Sequence, residues 1–320
     1  MTKMTRRVSL VLLSSALFCG CNSRFFSPTA PTLTADSGLI TVNTPEGQIG
    51  WSPYIVVHSD GGAVEGYRKA LTLLKSRGMV RGVRVGLSGY GDTGVQMISS
   101  LGIEMVGIVP NESLFDSNLE AMIDRYVSSY PDIKVFQIGN EVTTINQTQG
   151  LPKMTIEQYM DVFKKIYNHV RSNPSPVMLM TQSTFGSGFY GSDELKKMVE
   201  LGLKPNILSP QRVIVGINVY SDDALGEYVS TRNQYLDDPK QGGYRVWVME
   251  TGSPNPSEHI SHVRSFYSRL ASALGAERIY WYVLWGGDTG PDVGFSLISN
   301  PYDTNRMTYS PLFKALAGIQ

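Results

Sequence analysis

The sequence predicts an α/β fold, a single (β/α)8 TIM barrel behind an N-terminal signal and tether. Three observations carry this. Eight short apolar segments alternate with longer amphipathic ones from Tyr54 onward. Several of the short segments are near-continuous apolar runs, as strands buried on both faces of a parallel sheet should be. Eight such units in roughly 250 residues match the size of a closed barrel. An open doubly wound sheet shows the same alternation and remains the alternative, because sequence does not reveal closure.

The first residues lie outside that pattern. Lys3, Arg6 and Arg7 form a positive region, and residues 8–18 (VSLVLLSSALF) an apolar one. That run falls short of the roughly 20 residues a membrane-spanning helix needs, so it reads as an export signal. Both cysteines, Cys19 and Cys21, stand at its end in "LFCGC". This stretch resembles a bacterial lipoprotein processing box, with Cys21 as the lipidated residue and the signal spanning 1–21. Plain secretion with cleavage nearby is the alternative. The chain is therefore expected outside the cytoplasm, as a periplasmic or cell-surface lipoprotein held to a membrane by its N-terminal lipid. With Cys21 as the anchor, no cysteine remains for disulfides or thiolate metal sites. Residues 22–45, rich in Ser, Thr and Pro, read as a tether, and 46–320 as the barrel domain.

The elements follow in order. Strands are expected at residues 54–58 (YIVVH), 82–87 (GVRVGL), 103–108 (IEMVGI) and 133–139 (IKVFQIG), then at 176–181, 212–220, 245–250 and 278–285. After the first strand, Val64, Tyr67, Leu71 and Leu74 share one helical face that stops at Gly78. Thr155 is placed to cap a helix carrying Ile156, Tyr159, Val162, Phe163 and Ile166, ending at Asn173-Pro174. A third helix runs from "PSEH" to Gly275, and a last short one covers 311–316. Around 225–243 the sixth helix is poorly defined and reads as a longer loop. No internal repeat is found.

Composition narrows the function. Lys+Arg and Asp+Glu both total 28, so no basic excess is available to neutralise a phosphate backbone, and nucleic acid is not expected as a partner. Two stretches match the dinucleotide pattern G-x-G-x-x-G, "GYGDTG" (89–94) and "GSGFYG" (186–191). Glycine is abundant here, and an exported protein has little access to nicotinamide cofactors. Both are read as glycine-rich βα loops, and no cofactor is expected. His259 and His262 share a helical face, but no third ligand completes a metal site, so they are read as solvated. No nucleophile elbow is present.

In a closed barrel the C-terminal strand ends share one bowl, where the chemistry of this fold is done. Here those ends carry His58, Arg84, Asn140-Glu141, Asn218, Tyr220, Glu250 and Trp285. Two glutamates in one cleft suit glycoside hydrolysis by double displacement, in which one acts as acid and then base and the other as nucleophile. The segments "QIGNEV", "VWVMETGSP", "GINVYSDD" and "RIYWYVLWGG" resemble clan A of the glycoside hydrolases. Within the clan, "VGIVPNESL", "IGNEV", "INVY", "ETGSP" and "IYWYVLW" are most similar to the β-1,3-glucanase family.

The resemblance implies a retaining glycosidase acting on β-linked polysaccharide or oligosaccharide, with β-glucan favoured. Glu141 would be the acid/base and Glu250 the nucleophile. Asn140 would bind the sugar 2-hydroxyl, Arg84 and Tyr220 would orient Glu250, and Trp285 would floor the cleavage point, with Asn218 also in the bowl. Tyr90, Phe189 and Tyr190 would wall neighbouring sugars. The alternatives are a transglycosylase using the same residues and a non-catalytic carbohydrate-binding or envelope lipoprotein. Singly, each glutamate could be structural: Glu141 in a helix's first turn, or Glu250 paired with Arg84. A monomer is expected. Sugar, linkage and endo or exo action are left open.

Overall fold

The computed structural model describes residues 38–89, 92–144, 150–172, 177–184, 188–236 and 243–319. The signal, Cys21 and tether residues 22–37 lie outside them. Strands β1 (Ile40–Thr44) and β2 (Gly47–Trp51) form an antiparallel hairpin. β3 (Tyr54–Val57), β4 (Gly82–Gly86), β5 (Glu104–Val109), β6 (Val135–Ile138), β7 (Met178–Met180), β8 (Val213–Asn218), β9 (Arg245–Thr251) and β10 (Arg278–Trp281) follow. These eight pair in parallel and in chain order, and β10 returns to β3 through Tyr280↔Tyr54 and Trp281↔Ile55. The sheet is closed, which decides between barrel and open sheet. β11 (Ile298–Ser299) and β12 (Thr308–Tyr309) make a small ribbon beyond the eighth barrel strand.

Side-chain alternation explains the two cores. Val83 and Val85 of β4 and Val213, Val215 and Ile217 of β8 face outward and pack under the helices. Tyr54, Val56, Val106, Met180, Ile214, Trp247, Met249 and Tyr280 fill the barrel interior. At the N-terminal end the Arg278 guanidinium lies over Tyr54 at 4.7 Å and Trp247 at 4.2 Å and plugs the barrel. Gly82 makes room there, since a Cβ would come within 2.9 Å of the Tyr54 ring. The interior is therefore filled by side chains and plugged at its N-terminal end.

The helices are set by their caps. Helix Ile156–Ser172 opens on a reciprocal capping box: the Gln158 amide donates to Thr155 Oγ1 at 3.3 Å and the Thr155 amide to Gln158 Oε1 at 2.9 Å. The sixth helix, expected to be ill defined, is well formed over Asp222–Thr231. Ser221 accepts from the Ala224 amide at 3.2 Å, and Leu225 and Tyr228 supply its apolar face. Its many polar residues obscure that face in the sequence.

Two further expectations are corrected. The barrel boundary set at residue 46 falls in the turn of the β1–β2 hairpin, so part of the expected tether is strand. Val42, Ile49 and Trp51 are buried, and Trp51 stacks on Tyr267 at 5.8 Å. His259 and His262 are not solvated. His259 is fully buried, hydrogen-bonds the Gly294 carbonyl at 2.9 Å and lies 4.7 Å from the Trp281 ring. His262 meets Thr251 Oγ1 at 3.2 Å, and burial pushes its pKa down to about 4. The helix turns this face inward because Val263, Phe266, Tyr267 and Leu270 must also be covered.

Candidate active site

Arg84 is the inward residue of β4 and only 1% exposed. A buried guanidinium needs partners for its five donors. It donates from Nε to Gln137 Oε1 at 2.8 Å, from Nη2 to Asn140 Oδ1 at 2.7 Å, and from Nη1 to Glu250 Oε1 in a buried ion pair. Tyr220 donates to the other Glu250 oxygen, Oε2, at 2.8 Å. Both oxygens of Glu250 are thus held by donors from β4 and from the segment after β8. Burial, and then the neighbouring Glu250 charge, push the Tyr220 hydroxyl well above its usual pKa, which keeps it a donor.

How Glu250 enters the bowl is a matter of register. The β8–β9 ladder pairs Ile217 with Val248 and then Asn218 with Glu250, passing over Met249. The β9–β10 ladder shifts at the same place. Met249 packs inside the barrel with Trp247, and strict alternation would send Glu250 out towards the helices. The irregularity, which has the residue count of a β-bulge, turns Glu250 to the inner face beside Asn218.

The segment after β6 is shaped with equal care. Gly139 has φ +72°, and a Cβ there would lie 2.6 Å from Val142 Cγ2 and 2.9 Å from Leu114 Cδ1. Asn111, after β5, clamps the next residue reciprocally: it accepts from the Asn140 amide at 2.8 Å and donates to the Asn140 carbonyl at 2.9 Å. Arg84 and Gln137 both donate to Asn140 Oδ1, so its Nδ2 faces Glu250 Oε1 at 3.5 Å. Glu141 then takes φ +47°, a left-handed conformation that costs a non-glycine residue about 1–2 kcal/mol. Its amide is held by the Ser183 carbonyl at 3.0 Å, and the Val142 amide by Gln182 Oε1 at 2.7 Å. Strain at one residue, fixed on both sides, makes Glu141 a candidate functional position.

Glu141 is 6% exposed, and Asn218 Nδ2 donates to its Oε1 at 2.6 Å. Burial first, then the Glu250 charge, raise its pKa to about 8; the Asn218 hydrogen bond and Arg84 pull the other way. Its surroundings favour the protonated carboxyl, while Glu250 is ion-paired with Arg84. Two carboxyl groups in one cleft with different environments can divide acid and nucleophile roles between them.

The structure thus brings together Arg84, Asn140, Glu141, Asn218, Tyr220 and Glu250. Trp285 does not join them. Its ring contacts are Tyr67 at 6.4 Å and Tyr302 at 5.1 Å, on the side of helix Val64–Ser76. The chain leaves β10 at Trp281, and the aromatic beside the carboxylates is Tyr282. It lies edge-on to Tyr220 at 6.4 Å and to His58 at 6.0 Å, and Glu250 is among the charges that raise its hydroxyl pKa, after burial. Burial likewise lowers the His58 pKa, favouring a neutral ring. Tyr90 and the side chains of Phe189 and Tyr190 lie outside the described residues.

Sequence reasoning missed Gln137, Asn111, Gln182 and Tyr282. Gln137 left a signal: a polar residue in the inward register of an otherwise apolar strand, here fully buried and bonded to Ser183 Oγ at 3.2 Å. Asn111 lies within the segment VGIVPNESL that carries the family resemblance, but was given no role there.

No family model matches the chain, and no curated protein matches it. Solved structures do. The catalytic domain of a mannanase from Streptomyces sp. SirexAA-E is 16% identical, with 82% of this chain and 83% of that one covered and a TM-score of 0.50. The GH39 enzyme from Xanthomonas axonopodis pv. citri is 12% identical over 83% of this chain and 65% of its own, with a TM-score of 0.58. Saccharomyces cerevisiae Gas2p in complex with laminaripentaose is 13% identical over 81% of this chain and 59% of its own, with a TM-score of 0.52. The chain spans less than two thirds of the last two. At these identities the likeness establishes the shared barrel fold.

Proposed function

We propose that this chain is a retaining glycoside hydrolase that cleaves β-linked polysaccharide or oligosaccharide, with β-glucan favoured. The observation that carries it is the contrast between the two carboxyl groups. Glu141 is held protonated by burial and by its neighbour, and Glu250 is gripped at both oxygens by Arg84 and Tyr220.

Glu250 attacks the anomeric carbon as Glu141 gives its proton to the glycosidic oxygen. The bond to the departing sugar breaks and a glycosyl ester forms on Glu250. Esterification removes the Glu250 charge, and with it one of the two main causes of the raised Glu141 pKa. Its lowered pKa leaves Glu141 ionised and so able to act as the base; it takes a proton from water, and the water oxygen displaces Glu250 and releases the sugar with its original configuration. Asn140, its Nδ2 aimed beside Glu250, is placed to bind the 2-hydroxyl at the same centre. The floor assigned above to Trp285 passes to Tyr282.

The barrel is shared with a mannanase and with Gas2p, which was solved with laminaripentaose; this supports a glycan substrate and the preference for β-glucan. The test is incubation with laminarin, cellulose, mannan and xylan oligosaccharides, following product configuration by proton NMR. β-Configured first products, absent in Glu141→Gln and Glu250→Gln, are expected. Turnover of no β-linked glycan would sink the reading.

We also propose that the chain is exported and anchored through Cys21, on the strength of its leader. Labelled palmitate should enter the wild-type chain and not Cys21→Ala.

A further inference from the structure

The most exposed large apolar side chain among the described residues is Tyr302, at 51%. Its surroundings fix it in place. The hydroxyl donates to Asp60 Oδ2 at 2.6 Å, Trp285 meets the ring at 5.1 Å and 89°, and Gly62 lies so close that a Cβ there would be 3.0 Å from Tyr302 Cε1. Asp60 is itself steadied, accepting from the Gly62 amide at 2.7 Å through Oδ1.

A structural strap would explain a tyrosine here only if the loop depended on it. The loop is tied down without the ring. Pro301 packs so tightly on Gly66 that a Cβ would fall 2.3 Å from its carbonyl oxygen, and Lys69 donates to the Thr304 carbonyl at 2.8 Å. An aromatic ring rigidly held yet half open to water is therefore left with a flat apolar face to offer. Beside it, the Asp60 carboxylate accepts from Tyr302 and from the Gly62 and Ala63 amides, which leaves one of its roughly four acceptor positions. Flat apolar face plus carboxylate matches a pyranose, which has C–H faces and an equatorial rim of hydroxyls.

The position is on the catalytic rim. Asp60 lies two residues beyond His58, at the C-terminal end of β3, and His58 touches Tyr282, which neighbours Glu250. Tyr302 joins that rim through its hydrogen bond to Asp60, whose charge is close enough to act on the His58 ring. The acid Glu141 rises from the opposite side, after β6, where the departing sugar must leave. The retained part of the glycan would then run over the first and eighth barrel strands, towards Asp60 and Tyr302.

We propose that Tyr302 and Asp60 form a distal glycan subsite on the retained side of the cleft, so that the substrate is a chain of several β-linked sugars. This rests on the glycosidase reading and adds its chain-length requirement.

The experiment compares disaccharides with pentasaccharides of the laminari-, cello-, manno- and xylo- series. In Tyr302→Ala, the ratio of kcat/KM for pentasaccharide to that for disaccharide should fall about tenfold, the scale of one lost aromatic contact, and Tyr302→Phe should keep most of it. Tyr302→Leu, which keeps apolar bulk without a flat ring, replaces the alanine variant if that variant loses its circular dichroism. An unchanged ratio overturns the subsite. Calorimetric titration of Glu141→Gln with the same sugars separates the two readings. Tyr302-dependent pentasaccharide binding without turnover in the wild type keeps the subsite and removes the hydrolase. Turnover with no dependence on Tyr302 removes the subsite alone.

Discussion

Asn218 donates to Glu141 across 2.6 Å while standing as the ladder partner of Glu250. One inward residue of β8 therefore meets both glutamates, Glu141 through its side chain and Glu250 through the backbone ladder. Its hydrogen bond favours the ionised form of Glu141. Replacing it, Asn218→Leu, should move the basic limb of the kcat/KM profile to higher pH and slow release of the glycosyl-enzyme. Removing the neighbouring charge, Glu250→Gln, should move Glu141 the other way, read by carbon NMR of the labelled carboxyl. Shifts of the same sign in both variants would contradict the electrostatic account.

Protonation of Glu141 also links activity and stability to pH. In the wild type, kcat/KM should decline as pH rises through about 8, where the acid loses its proton. The folded pKa lies above the ordinary value of 4.5, so the folded state binds the proton more tightly than the unfolded chain. Stability should therefore fall as pH rises between those two values. Glu141→Gln should flatten that slope, seen as a smaller loss of urea midpoint from pH 5 to pH 9.

Arg84 is the charge on which the interior of the bowl depends. Arg84→Met leaves the Glu250 carboxylate and the Gln137 amide without their buried donor. A loss of about 3–5 kcal/mol in unfolding free energy is expected, together with loss of turnover. Urea denaturation with the wild type as reference measures it. Arg84→Lys keeps the charge but cannot span three acceptors and should fall between.

Gly139 sets where Asn140 and Glu141 stand. Gly139→Ala combines φ +72° with contacts of 2.6 Å and 2.9 Å to Val142 and Leu114. It should cost more than about 1 kcal/mol of stability. It should also lower kcat on the order of 100-fold, since a displacement near 1 Å at the reacting groups has that effect. A variant that is destabilised but fully active would show that the loop tolerates the shift.

The two aromatics that follow β10, Tyr282 and Trp285, should separate cleanly. Tyr282→Ala should reduce kcat/KM by about 10- to 100-fold, having lost an aromatic wall beside Glu250. Trp285→Ala should mainly lower the melting temperature, because its ring is packed against Tyr67 and is only 7% exposed; about 3–5 kcal/mol is expected for such a truncation.

Most of the barrel was legible in the chain because strand and helix periodicities are local. Runs such as RVIVGINVY announce burial on both faces, and Thr155 announces its helix as an N-cap, to which the structure adds the reciprocal bond with Gln158. The β1–β2 hairpin and the helix Asp222–Thr231 were obscured by polar composition: burial of Val42, Ile49 and Leu225 depends on partners far along the sequence. The glutamates and their companions could be named from their places at strand ends.

The sequence by itself determined eight inward- and outward-facing strands and which of them end in carboxylates. Only the tertiary structure decided that Glu250 faces inward, since alternation along β9 aims it at the helices until the ladder passes over Met249. It also decided that Tyr282, and not Trp285, stands beside the carboxylates. The physical reason is the same in both cases. Side-chain direction at a strand end is set by register against neighbouring strands and by the path of the chain leaving the sheet, and neither is encoded in local periodicity.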